Sequence, residues 1–121
     1  MVNTVAWFEV ASDDPEAAQR FYGDLFGWTF TPDPDAPMDY RMIHATGEEQ
    51  PGGGLYGTGG EVPNHATFCV LVEDVAATCA KVESLGGKVV RKVVADPGGT
   101  SFAYLHDVSG NLFGIFTPPA G

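Results

Sequence analysis

The chain reads as an α+β fold built from one βαβββ unit written twice, and three observations predict it. Corresponding positions of the two halves recur at one spacing: Val5 and His65, Val10 and Val70, Asp14 and Asp74, and Leu25 and Leu85 are each 60 apart. Each half opens on an alternating run, passes through an Asp-capped helix and continues in short stretches punctuated by glycine. A second echo, Gly53-Gly54-Leu55-Tyr56-Gly57 against Gly110-Asn111-Leu112-Phe113-Gly114, falls 57 apart. The expected division of the 121 residues is one domain: a first module over about 1–57, a linker over 58–64 and a second module over about 65–118.

In the first strand Ala6, Phe8 and Val10 fall on one face, and Val5, Trp7 and Glu9 on the other. Ser12-Asp13-Asp14-Pro15-Glu16 announces a helix, with Asp14 as N-cap, Pro15 at its first position and an acid in the first turn. Ala18, Phe21, Tyr22, Leu25 and Phe26 follow helical spacing as a broad apolar stripe, and Gly27 supplies the left-handed stop. Strands are expected near 28–31, 40–45 and 54–57, parted by the Pro- and Gly-rich stretches 32–37 and 47–53. The second half repeats the plan. Asp74 caps a helix that buries Val75, Cys79, Val82 and Leu85 and ends at Gly86-Gly87. Strands near 88–94, 100–106 and 112–117 follow, split by Asp96-Pro97-Gly98-Gly99 and Asp107-Val108-Ser109-Gly110, and Pro118-Pro119-Ala120-Gly121 reads as an unstructured end.

Sixteen acidic residues against 6 basic ones give a net charge of −10. That balance opposes nucleic-acid binding, which needs a basic face, while it suits cationic small ligands or simply solubility. No apolar run approaches the roughly 18 residues of a membrane span, and the start lacks a secretory pattern, so a cytoplasmic protein is expected. Cys69 and Cys79 have no metal-binding spacing and read as reduced thiols.

Trp7-Phe8-Glu9-Val10, then Asp14-Pro15-Glu16, then Arg20-Phe21-Tyr22-Gly23-Asp24-Leu25-Phe26-Gly27-Trp28 resemble the vicinal oxygen chelate superfamily of glyoxalases, bleomycin-resistance proteins and extradiol dioxygenases. Asp107-Val108-Ser109-Gly110-Asn111 resembles that family's last turn. The resemblance covers nearly the whole chain. It implies curled mixed sheets enclosing a cavity, helices outside, and a homodimer. It also implies metal-ligand positions opening the first and fifth strands and on each module's last strand. Here these are Val5, His65, Gly57 and Gly114, of which only His65 can bind a metal. Glu9 and Cys69 lie about 13 Å further along their strands, and His44 and His106 read as solvated turn residues. The expectation is therefore no metal or other cofactor, with a relocated divalent site as the alternative.

By strand parity the cavity is lined by Trp7, Glu9, Leu55, His65, Thr67, Cys69, Leu112 and Phe116, an apolar wall with a few polar points. Trp7 and Phe116 read either as core or as platforms for a planar or cationic ligand. An inward Glu9 needs a partner such as Arg41, or a raised pKa, and is either structural, a counter-ion or a general base. His65 is either a remnant held by a backbone carbonyl or a partner for a ligand. Cys69 reads as core, and Gly52-Gly53-Gly54 as loop rather than phosphate cradle. Two functions follow. One is a metal-free binder of a hydrophobic or aromatic small molecule, cationic ones included. The alternative is a lyase, isomerase or dioxygenase-like enzyme using Glu9 and His65, with or without a divalent metal.

Overall fold

The elements run β1 (Thr4–Ser12), α1 (Pro15–Phe26), β2 (Thr29–Pro32), β3 (Tyr40–His44), β4 (Gly53–Gly57), β5 (His65–Leu71), α2 (Val75–Ser84), β6 (Lys88–Val93), β7 (Ser101–His106) and β8 (Leu112–Thr117). They are seen in a computed structural model that describes residues 2–36, 38–95 and 98–119. Pro37 of the first loop, Asp96-Pro97 of the expected turn and Ala120-Gly121 of the expected unstructured end lie outside the described residues. The chain packs as two compact units: Trp7–Ala66, and the residues up to Ala6 together with those from Thr67 onward. β1 and β5 thus each begin in one unit and finish in the other. Asn3 fastens the start to its own unit by donating its N–H to the Leu71 carbonyl at 2.6 Å.

In the Trp7–Ala66 unit the strand order is β2-β3-β4-β1, with β1 and β4 parallel and the other neighbours antiparallel. α1 starts where the Asp14 carboxylate accepts the Ala17 N–H at 3.1 Å, with Pro15 pre-set for the first turn. It stops at Gly27, whose φ of 73° is the left-handed conformation that glycine adopts at no steric cost. Trp28 then joins helix to sheet: Tyr22 stacks on it at 5.5 Å, Phe26 lies at 5.0 Å and Phe8 of β1 at 5.8 Å. The apolar stripe of α1 is present but not covered. Phe21, Leu25 and Phe26 stay 61, 57 and 50% exposed.

In the other unit the order is β5-β8-β7-β6, with β5 and β8 parallel. α2 is capped by Asp74 and lays Val75 and Cys79 against Val72, Ala103, Leu105 and Ile115, with Val82 packed beside them. Leu85, expected in that stripe, is 67% exposed; it is the capping residue past the last full turn, where the helical phase ends.

Strand register corrects the second echo. Val10 pairs with Leu55 and Val70 pairs with Ile115, so β4 and β8 correspond at the same 60-residue spacing as the rest of the repeat. Gly54 therefore answers to Gly114 and Tyr56 to Phe116. The match at 57 compared unlike places, since Gly53 is a strand residue paired with Phe8 whereas Gly110 sits in a turn with φ of 84°. Paired residues share a face of a sheet. Leu55 accordingly lies with Val10, and Tyr56 takes the side of Glu9.

Candidate functional site

The face of the Trp7–Ala66 unit that carries Glu9 gathers polar and aromatic groups around one glycine. Glu9 pairs with Gly54, which pairs in turn with Met42. A β-carbon on Gly54 would collide with the Tyr40 phenol, so the missing side chain lets that ring reach from β3 across β4 toward β1. There the Tyr40 hydroxyl donates to Glu9 Oε2 at 2.8 Å and accepts the Trp7 indole N–H at 2.9 Å. Glu9 is 4% exposed, and burial at that level demands a donor for a carboxyl group. Tyr56 lies parallel to Tyr40, ring centres 6.4 Å apart, and meets His65 edge-on at 6.2 Å.

His65 is held in one tautomer. Its Nδ1 is 3.0 Å from the Pro63 carbonyl oxygen, which can only accept, so Nδ1 carries the hydrogen. In the neutral ring Nε2 is then a bare lone pair. Nε2 is buried and has no hydrogen-bond partner among the described residues.

Arg41, expected as the structural partner of Glu9, turns to the opposite face with Leu55. It forms a two-pronged pair with Asp39 at 3.0 Å and donates to Gln19 at 2.9 Å. The Asp39 hydrogen bond raises the guanidinium pKa. His44 is not a free turn residue: Nδ1 donates to the Glu49 carbonyl at 2.9 Å, and Nε2 accepts the Thr31 hydroxyl at 3.0 Å.

The residues expected to line one cavity divide between the two units. Trp7, Glu9 and His65 belong to one, with Leu55 on its reverse face. Thr67, Cys69, Leu112 and Phe116 belong to the other. In that unit Thr67 donates to the Leu112 carbonyl at 2.7 Å, Cys69 is buried opposite Gly114, and Phe116 pairs with Leu71 and Phe102. Tyr40 and Tyr56 were absent from the expected set. The 60-residue spacing, carried through to the last strand, sets Tyr56 against Phe116 and would have found one of them.

A metal centre of the kind the resemblance implies needs three donors, and these positions do not supply them. Val5 is 62% exposed and has no lone pair. On the Glu9 face β4 offers Gly54 and Tyr56; on the Cys69 face β8 offers Leu112, Gly114 and Phe116. None is a carboxylate, and a β-carbon on Gly114 would lie 2.9 Å from Cys69 Sγ, so a longer ligand could not replace it without displacing that thiol. Among the described residues no group of three or more His, Cys, Asp or Glu comes together.

Residues 4–115 match the Glyoxalase/Bleomycin resistance protein/Dioxygenase superfamily, and the chain belongs to it. Its α+β fold of repeated βαβββ units is that of glyoxalase-fold proteins of known structure. CFP32 of Mycobacterium tuberculosis, provisionally named a glyoxylase, is 33% identical over 116 residues, 95% of this chain and 44% of its own length. A glyoxylase-like domain-containing protein of Didymella fabae is 31% identical over 95% of this chain and 94% of its own. The anthracycline biosynthesis protein DnrV of Streptomyces peucetius is 32% identical over 81% of this chain and 45% of its own. The chain thus spans somewhat under half the length of the first curated relatives it matches. Among solved structures, a Streptomyces coelicolor methylmalonyl-CoA epimerase variant superposes with a TM-score of 0.66 at 18% identity, covering 99% of this chain and all of that one. The Mn(II)-bound glyoxalase of Novosphingobium aromaticivorans gives 0.61 at 23% identity, covering 98% of this chain and 40% of that one. At these identities the likeness is one of fold.

Proposed function

We propose that the protein binds an aromatic small molecule, cationic ones included, without a metal, on the face formed by Trp7, Glu9, Tyr40, Tyr56 and His65. The observation that carries this reading is the relay from the Trp7 indole through the Tyr40 hydroxyl to the buried Glu9 carboxyl, with the Tyr56 ring beside it. Fixed aromatic rings around a placed carboxyl group suit a flat ligand with a positive group. The excess of 16 acidic over 6 basic residues would draw such a ligand in. One relative is named for anthracycline biosynthesis, so an anthracycline belongs in the first panel of compounds. Thermal-shift screening of aromatic cations tests the reading, because a ligand at 100 times its Kd stabilises the folded state by about 2.7 kcal/mol. No shift with any of them would end it.

We further infer that the working form is a homodimer in the cytoplasm. The uncovered Phe21, Leu25 and Phe26 of α1 support association, and no described helix is long and apolar enough to cross a membrane. Sedimentation of a purely monomeric species at micromolar concentration would contradict the dimer.

One observation favours a second reading, an enzyme of the lyase, isomerase or dioxygenase kind. The buried, bare Nε2 of His65 is a ready proton acceptor, and Glu9 belongs to the same unit. In that case Glu9→Gln and His65→Gln should each abolish turnover while the circular dichroism spectrum stays the same.

A further inference from the structure

We propose that the recognition element of the ligand is a hydroxyl or N–H on an aromatic ring, donated to His65 Nε2. The inference rests on the binding face described above and deepens it. The Pro63 carbonyl keeps the hydrogen on Nδ1 at 3.0 Å, so the neutral imidazole presents a lone pair and not a donor. That lone pair is out of solvent and unmet among the described residues. A buried acceptor without a donor is a standing penalty, and a ligand donor that meets it recovers that penalty on binding. An acceptor ligand gains nothing there, and its lone pair would face another.

The neighbouring groups narrow the class further. Tyr56 lies parallel to Tyr40 and in a T-shaped arrangement with the imidazole, so the His65 ring sits beside aromatic groups. A ring-borne donor satisfies the nitrogen and the aromatic contact together. Nε2 is covered in the free protein, so the ligand reaches it by displacing whatever covers it.

The test uses a matched pair of probes, β-naphthol and its methyl ether, which differ in one hydrogen-bond donor. Calorimetric titration of the intact protein should show the naphthol binding roughly tenfold tighter, the usual scale for a buried donor–acceptor pair. His65→Phe should erase the difference by weakening the naphthol alone, and His65→Gln, which keeps an acceptor, should restore part of it. Nitrogen-15 NMR of the unmodified protein gives a readout independent of any variant. The neutral His65 ring should carry its hydrogen on Nδ1 without ligand, and the Nε2 signal should move when naphthol is added but not with the ether. Equal affinities for the pair, or a hydrogen found on Nε2, would overturn the inference while leaving the binding face intact. Failure of both probes to bind would overturn the inference together with the reading it rests on.

Discussion

Tyr40 occupies the space that a side chain on Gly54 would need, and from there it hands its hydroxyl hydrogen to Glu9 at 2.8 Å. The glycine, the phenol and the carboxyl come from three different strands of one unit. Their arrangement explains how an acid only 4% exposed is kept in a sheet.

Gly54→Ala should therefore act through Tyr40. The added carbon forces the ring off its site, and overpacking of this kind costs about 1–3 kcal/mol. Gly52→Ala is the control, because nothing lies within 4 Å of a β-carbon there. Urea unfolding should show a clear loss for residue 54 and little or no change for residue 52; equal effects would contradict the packing described.

Tyr40→Phe keeps the ring and removes only the hydroxyl. Glu9 and the Trp7 indole both lose that partner, for an expected loss of about 1–3 kcal/mol. The midpoint in urea should fall with the slope unchanged. An unaltered midpoint would mean the relay contributes nothing to stability.

Asp107 supplies a pH dependence of definite sign. Hydrogen bonds from the Asn111 backbone and side chain, then from Ser109 and Gly110, hold its carboxyl below the usual value of 3.8. A depressed folded-state pKa stabilises the fold above the unfolded value, and that contribution is lost as pH falls through the folded one. Asp107→Asn should lower Tm at neutral pH, and the two curves should converge in strong acid. A gap that persists or widens there would reverse the assignment.

The repeat itself was legible from residue spacing, because helix caps and alternating strands leave local marks: Asp14 and Asp74 cap as expected. Register was not. The Gly53 and Gly110 stretches look alike residue by residue, yet only hydrogen-bonded neighbours decide which way a strand residue points, and these place Tyr56 on the side of Glu9 and Leu55 behind it. The exposure of α1 was equally hidden, since helical spacing shows that a stripe exists but not what covers it. Of the proposed binding face, Trp7, Glu9 and His65 could be read from strand parity. Tyr40 could not, because it reaches Glu9 only through the gap at Gly54.

The most direct test of the metal-free aromatic site is calorimetric titration of a cationic aromatic compound into chelator-treated protein, beside Glu9→Gln. Binding with the same Kd before and after chelation, weakened roughly tenfold or more by Glu9→Gln, is the result predicted. Binding that appears only when a divalent metal is restored, or that is indifferent to Glu9→Gln, would contradict it.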